Sequence, residues 1–304
     1  MIGSDWFLLG APWDCSGTGR GEAEAPEALR AAGLNGHVDV DLGDAATIIS
    51  THHRDEKTAV RALPDTIAAA HALATSLATG MREHPERRPL VLGGDCSLLL
   101  GVFAHLRPAV GSVGLWLVDG HPDYLDARAS DTGETADLEL AVLTGAGPPS
   151  LTGLGQAVPM VEARHVALLG HRTDGLDPAS AAEVARVPAE MLTIGSPAVI
   201  ADPHGAGRRA AAWAERLQVP MWLHLDVDVL DPSSMPAVTY PQAGGPDTDQ
   251  LAALLAPLAG APNLLGVSVA DFRPDLDIDG RYATSLVTLL DRVCGSDRAT
   301  PPCP

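Results

Sequence analysis

The chain has 304 residues, 46% hydrophobic and 19% charged, enough apolar sequence for one large core. Its formal net charge is −19, and Lys57 is its only lysine. So acidic a chain repels nucleic-acid phosphates and anionic membranes, which excludes both as partners, and no apolar run reaches the ~18 residues of a membrane helix.

In chain order, the pattern predicts a strand at Trp6–Gly10, then helices at Ala25–Ala32 and Leu63–Arg82. A strand at Pro89–Leu92 precedes a helix at Ser97–His105, and a strand at Val113–Val118 precedes a helix at Leu138–Leu143. The strand His165–Leu169 is followed by helices at Ala179–Ala185 and Gly207–Leu217. Strands at Pro220–Leu225 and Leu264–Val269 alternate with helices at Thr248–Leu258 and Tyr282–Val293. This alternation argues for βαβ units, a parallel sheet and helices on both faces. Strands that are apolar throughout, without alternation, fit a sheet buried on both sides. The expectation is a single domain over 1–304, with 296–304 loosely packed or disordered. The cysteines Cys15, Cys96, Cys294 and Cys303 form no CxxC pair, and no signal-like segment opens the chain, so they read as reduced thiols of a cytoplasmic protein.

Ligands of parallel α/β sheets bind beyond the carboxyl ends of the strands. Three predicted strands run into acids there. Leu92-Gly93-Gly94-Asp95-Cys96-Ser97 reads as a glycine turn, with Asp95 or Ser97 as the cap of the next helix. In Asp119-Gly120-His121-Pro122-Asp123, alternation along an extended segment puts Asp119, His121 and Asp123 on one side. Neighbouring buried carboxylates repel, and a divalent cation such as Mn²⁺ removes the difficulty. Leu223–Pro232 repeats the arrangement with Asp226 and Asp228, while Asp231 reads as a turn and His224 as a strand residue with a satisfied hydrogen bond. Four carboxylates and one imidazole are too much negative charge for one ion and suit two. Trp116 and Trp222 read as core, and His52, His53, His165, His171 and His204 as surface or packing residues.

GGDCS, DGHPD and LDVDVLDP, in this order, resemble the motifs GGDHS, DAHxD and SxDxDxxDP of the arginase–agmatinase (ureohydrolase) family. Gly10–Arg30 is similar to that family's opening segment, and Gly266–Pro274 to the segment with its substrate-facing Glu. Within the family, the chain looks most like the actinobacterial-type amidinohydrolases with GGDCS, including those acting on Nω-hydroxy-L-arginine. The resemblance implies a three-layer αβα sandwich around a mostly parallel sheet of about eight strands, two Mn²⁺ ions, a small guanidino substrate and a homo-oligomer. It implies that Asp119 and Asp226 bridge both metals, that Cys96 and Asp123 complete one site, and that His121 and Asp228 complete the other. Asp271 stands where the family has the Glu that pairs with the guanidinium; the bland alternative is a loop carboxylate paired with Arg273 or Arg281.

Three departures bear on function. Cys96 replaces a histidine; a thiolate is a softer ligand that admits Zn²⁺, Fe²⁺ or Co²⁺, and the alternative is an inert buried thiol. Ala136 falls where the family's arginases carry a proton-shuttling His, leaving Glu134 or Asp137 as substitutes or as mere helix caps. Leu125 replaces an Asn that holds the substrate head, and Asp174 or Asp177 stands for the acid that meets its α-amine. The reading is a binuclear-metal amidinohydrolase acting on arginine, Nω-hydroxyarginine or a related guanidine. Its rivals are a one-zinc amide hydrolase of deacetylase type and a non-catalytic binding protein of the same fold.

Overall fold

The computed structural model describes residues 2–295. The expectation for 296–304 lies outside the described residues. Runs such as Leu115-Trp116-Leu117-Val118 alternate their side chains between two apolar environments, so they form strands covered on both faces. Eight strands result: β1 (Gly3–Ala11), β2 (Val38–Asp44), β3 (Arg88–Gly93), β4 (Gly114–Val118), β5 (Val166–Leu169), β6 (Leu192–Ile194), β7 (Met221–Asp226) and β8 (Leu264–Ala270). They form one sheet in the order β2-β1-β3-β8-β7-β4-β5-β6, with every pair parallel.

The helices are α1 (Ala25–Ala31), α2 (Leu63–Glu83), α3 (Leu99–Val110), α4 (Glu139–Leu143), α5 (Pro149–Thr152), α6 (Pro178–Val184), α7 (Ser196–Ala201), α8 (Pro203–Leu217), α9 (Thr248–Ala259) and α10 (Arg281–Cys294). On one face, Trp6, Leu8, Trp116 and Val118 pack with Leu29 of α1, Ala210 of α8, Leu254 of α9 and Leu286 of α10. On the other, Phe7, Leu9, Leu115 and Leu117 pack with Leu73 of α2, Phe103 of α3 and Leu140 of α4. This is a three-layer α/β sandwich. Among the described residues, no helix is long and apolar enough to cross a membrane.

Two strands escape the apolar-run pattern. Both are edge strands. In β2, Val-Asp-Val-Asp-Leu-Gly-Asp alternates with one side open to solvent, so its residues are half polar. The other, β6, has only three residues and exposes Thr193. An edge strand needs neither the length nor the two apolar faces of a central one.

Candidate metal centre

The central strands β3, β8, β7 and β4 are successive neighbours, so their carboxyl ends form one row. After β3, the chain bends at Gly94, where an added Cβ would lie 1.7 Å from the Trp13 carbonyl oxygen; only glycine lets the two backbones meet. Asp95 then caps the next turn by accepting the Ser97 amide at 3.0 Å, and Cys96 follows, fully buried. The end of β8 is tied to this bend by the Asp271 amide, which donates to the Gly94 carbonyl at 2.7 Å. Asp271 is left-handed, at φ 65°, as is Asp123, at φ 48°. This conformation is uncommon outside glycine, and in non-glycine residues it clusters at functional sites.

The DGHPD and DVDVLD segments touch. The Gly120 amide donates to Asp228 Oδ1 at 3.1 Å, and a Cβ on Gly120 would fall 2.8 Å from that oxygen. His121 Nδ1 lies 2.8 Å from Asp228 Oδ2. The Asp119 and Asp226 carboxylates each accept, at 2.6 Å, the amide two residues ahead. The chain therefore turns after each strand, and simple alternation does not hold. Asp119, His121 and Asp123 still converge, but in two groups that share Asp119: one with Cys96 and Asp123, the other with His121 and Asp228. A third group joins Cys96, Asp226 and Asp271, and in each the potential ligand atoms lie within 4.8 Å of one another.

The electrostatics of these groups are lopsided. Burial pushes Asp119, Asp123 and Asp226 well above the usual carboxylate range, reinforced by Asp228 at Asp119, by Asp119 at Asp123 and by Asp228 at Asp226. Burial, with Asp226 and Asp271 nearby, also pushes the Cys96 thiol up, and burial pushes Asp271 up to about 6. Burial opposes a charge on His121, but the Asp228 carboxylate outweighs it and pushes the imidazole up to about 9; the same contact holds Asp228 low against its own burial. Asp119 Oδ2 is buried with no hydrogen-bond partner among the described residues. An orphaned buried oxygen among mutually repelling acids fits a bound cation. A donor set of carboxylates, one imidazole and one thiol suits divalent metals.

A cavity of about 490 Å³ opens onto the cluster. Asp271, Asp123, His121, Asp226 and Asp228 line its floor, and Asp137, Glu183, Arg186 and Tyr240 also border it. Asp271 takes neither expected guanidinium: Arg273 pairs with Asp275 at 2.6 Å, and Arg281 lies 3.8 Å from Asp279. Instead, Cys96 Sγ lies 3.4 Å from Asp271 Oδ2.

Glu134 neither lines the cavity nor caps a helix with its side chain. It is buried in ion pairs with Arg20 at 2.8 Å and Arg61 at 3.7 Å, away from the cavity. Asp137 does line the cavity, accepting from the Ser130 and Thr132 hydroxyls. Neither Asp174 nor Asp177 is among the described lining residues. Asp177 is occupied at the start of α6, where it accepts the Ala179 and Ser180 amides. The acid that α6 turns toward the cavity is Glu183, which accepts the Tyr124 amide at 3.0 Å. Ala136 and Leu125 both lie on the cavity wall.

Sequence reasoning also missed Glu139. Its side chain is fully buried, its carboxyl faces Asp123, and neither oxygen has a hydrogen-bond partner among the described residues. Burial pushes both Glu139 and Asp123 well above the usual carboxylate range, reinforced at each by the Asp119 carboxylate. The available signal was an acid inside the otherwise apolar run Leu138–Leu143.

The arginase family profile matches residues 4–295. The arginase of Brevibacillus brevis is 29% identical over 296 residues, covering 95% of this chain and 97% of that protein. That of Bacillus caldovelox is 28% identical over 298 residues, with the same coverage. The crystal structure of the Bacillus caldovelox arginase superposes with a TM-score of 0.84 at 27% identity, covering 97% of this chain and 99% of that one. A formimidoylglutamase from Bacillus subtilis shares the fold, with a TM-score of 0.74 at 20% identity over 99% of this chain and 88% of that one.

Proposed function

Because the chain belongs to the arginase family, we propose that it is a binuclear-metal amidinohydrolase: with water, it splits a guanidino compound into a urea-type product and an amine. The observation that carries this reading is the meeting of Cys96, Asp119, Asp123, His121, Asp226 and Asp228 at the carboxyl ends of β3, β4 and β7, with an orphaned oxygen among them. In this reading, Cys96 and Asp123 would hold one divalent ion and His121 and Asp228 the other, with Asp119 and Asp226 shared between them. Mn²⁺ is the expected ion, and Zn²⁺, Fe²⁺ or Co²⁺ is compatible with the sulfur. A pair of such cations makes hydroxide available near neutral pH.

The chain's own residues do the rest. Asp271, ionised above about pH 6, accepts charge-assisted hydrogen bonds from the planar guanidinium and fixes its central carbon over the cluster. Addition of hydroxide makes that carbon tetrahedral; the C–N bond to the substrate tail then breaks as the departing nitrogen takes the proton of the added hydroxyl, which becomes the carbonyl of the urea-type product. Asp137 and Glu183 are placed for an ammonium group and Arg186 for a carboxylate, so the cavity suits an amino-acid head.

Among guanidines, the reading favours an N-hydroxyguanidine such as Nω-hydroxyarginine. Ala136 offers only a methyl to the cavity at the shuttle position, and Leu125 only an isobutyl group at the head position. A thiolate at Cys96 weakens the Lewis acidity of its metal. An N-hydroxyguanidine is less basic than a guanidine and binds uncharged, so its carbon is attacked more readily and its hydrolysis suffers less from the missing shuttle and the weaker Lewis acid. The test compares kcat/KM for Nω-hydroxyarginine, arginine, agmatine and guanidinobutyrate with Mn²⁺-loaded protein whose metal content is counted. Two ions per chain and fastest turnover of Nω-hydroxyarginine are expected. Arginine turning over fastest overturns the substrate assignment, and two bound ions with no guanidine hydrolysed overturn the reaction. One ion per chain with amide hydrolysis points to the deacetylase-type chemistry instead.

A further inference from the structure

Directly behind Cys96 lies a polar relay that the reaction as described does not use. His224, in β7, is fully buried, and its Nε2 is 3.0 Å from Cys96 Sγ. Its Nδ1 is 2.7 Å from Ser268 Oγ, on the paired residue of β8. Trp222 Nε1 reaches the same Oγ at 2.8 Å. All four side chains are at 0% exposure, so the protons of Trp222, Ser268 and His224 must be placed among these groups, while the Cys96 sulfur also meets the acid cluster.

That accounting has a direction. An indole nitrogen only donates, so Trp222 takes one lone pair of Ser268 Oγ. The single Ser268 hydroxyl proton then goes to its other neighbour, His224 Nδ1. A neutral imidazole that accepts at Nδ1 carries its proton on Nε2. That N–H points at the Cys96 sulfur, while the sulfur's own contact to Asp226 Oδ2, at 2.6 Å, lies toward the acid cluster. The opposite tautomer would strand the Ser268 proton in a dry core.

We propose that His224 is a positioning residue for Cys96: the Trp222–Ser268–His224 relay delivers one N–H hydrogen bond to the sulfur, aims it at the acid cluster and withdraws negative charge from it when it binds a metal. The inference rests on reading Cys96 as a ligand. A thiolate adds a full negative charge to a cluster already rich in carboxylates, and an N–H donor behind a sulfur ligand offsets part of it. The substitutions are complementary. Cys96 stands where the family motif GGDHS has histidine, and His224 stands where SxDxDxxDP begins with serine. The imidazole lost from the metal's own ligands reappears one shell behind.

The test reconstitutes the full chain with Co²⁺ and records the sulfur-to-cobalt charge-transfer band in the wild type, His224→Phe and His224→Gln. Phenylalanine keeps the ring and removes the donor; a glutamine amide can put an N–H back near the Nε2 position. The expected result is a shift of the band to longer wavelength in His224→Phe, because an undamped thiolate holds its electrons less tightly, with about 10–100-fold weaker Co²⁺ binding. His224→Gln restores most of the wild-type band position. Ser268→Ala keeps the imidazole but frees its tautomer; it gives a smaller shift in the same direction and serves as the readout if His224→Phe does not fold. An unmoved band in the variants that fold overturns the relay while leaving Cys96 a ligand. Bound Co²⁺ with no sulfur band in the wild type overturns both.

Discussion

Two regions of this molecule bury carboxylates to the same depth and treat them in opposite ways. Around Arg20, Glu22 of the N-terminal segment and Glu134 of the segment after β4 are 0% and 5% exposed, and both face guanidinium groups: Arg20 at 3.4 Å from Glu22 and 2.8 Å from Glu134, Arg273 at 3.9 Å from Glu22, and Arg61 at 3.7 Å from Glu134. At the strand ends, Asp119 and Asp226 are 0% and 1% exposed, and the only cationic partner among the ligand candidates is the His121 imidazole. The first region is neutralised by the chain itself. The second has only that imidazole and the buried Arg172 guanidinium beside its acids among the described residues, and is left short of positive charge unless something else brings it. The contrast marks the strand ends, rather than the larger number of buried acids, as the functional centre.

The sharpest way to break this comparison is Asp226→Asn. With metal present, kcat should fall by about 10³-fold or more if Asp226 serves both ions as proposed. In metal-free protein, the same change should raise Tm, because it relieves repulsion from Asp228, Asp271 and Asp119. Thermal melts with and without Mn²⁺ check both signs; a metal-free variant that melts lower than wild type would show that the acids are already balanced.

The converse change is Arg20→Gln. It leaves Glu22 and Glu134 short of their guanidinium and should cost about 3–5 kcal/mol, read from urea unfolding of metal-free protein. A cost near zero would mean that these ion pairs are not what keeps the two carboxylates charged.

The smallest expected effect is the pH dependence. In metal-free protein, the His121 imidazole is raised from about 6.5 when unfolded to about 9 when folded. The stabilisation this implies is complete below about pH 6.5 and is lost as pH rises through about 9. The raised carboxylates act with the same sign: their penalty is absent below their unfolded range near pH 4 and grows as pH rises above it. Tm of metal-free protein should therefore fall by several degrees between pH 6.5 and 9, and saturating Mn²⁺ should remove the slope. An unchanged slope on adding Mn²⁺ would separate the cluster from metal binding.

How much of this is legible in the sequence follows from burial and position. The six strands recognised as apolar runs are the ones sandwiched between helices; β2 and β6 lie at the edges, where half-polar or three-residue segments suffice. The acids at the ends of β4, β7 and β8 are legible because they interrupt such runs. Their division into groups is not, because the chain turns after β4 and Asp123 adopts a left-handed conformation that alternation cannot anticipate. Glu183 and Arg186 reach the cavity at the end of a short helix with no motif of its own, so Asp174 and Asp177 drew attention that belonged one or two turns later. His224 looks like a strand residue until Cys96 and Ser268 are seen on either side of its ring.

The strand order has a consequence for biosynthesis. The strand β8, made last, sits in the middle of the sheet, between β3 and β7. Until residues 264–270 emerge from the ribosome and insert there, Cys96 and Asp226 have no fixed neighbour between them, and Asp271 does not yet exist. The group of Cys96, Asp226 and Asp271 is thereby completed only at the end of translation, whereas Asp119, His121 and Asp228 lie on the directly paired β4 and β7 and can meet before it.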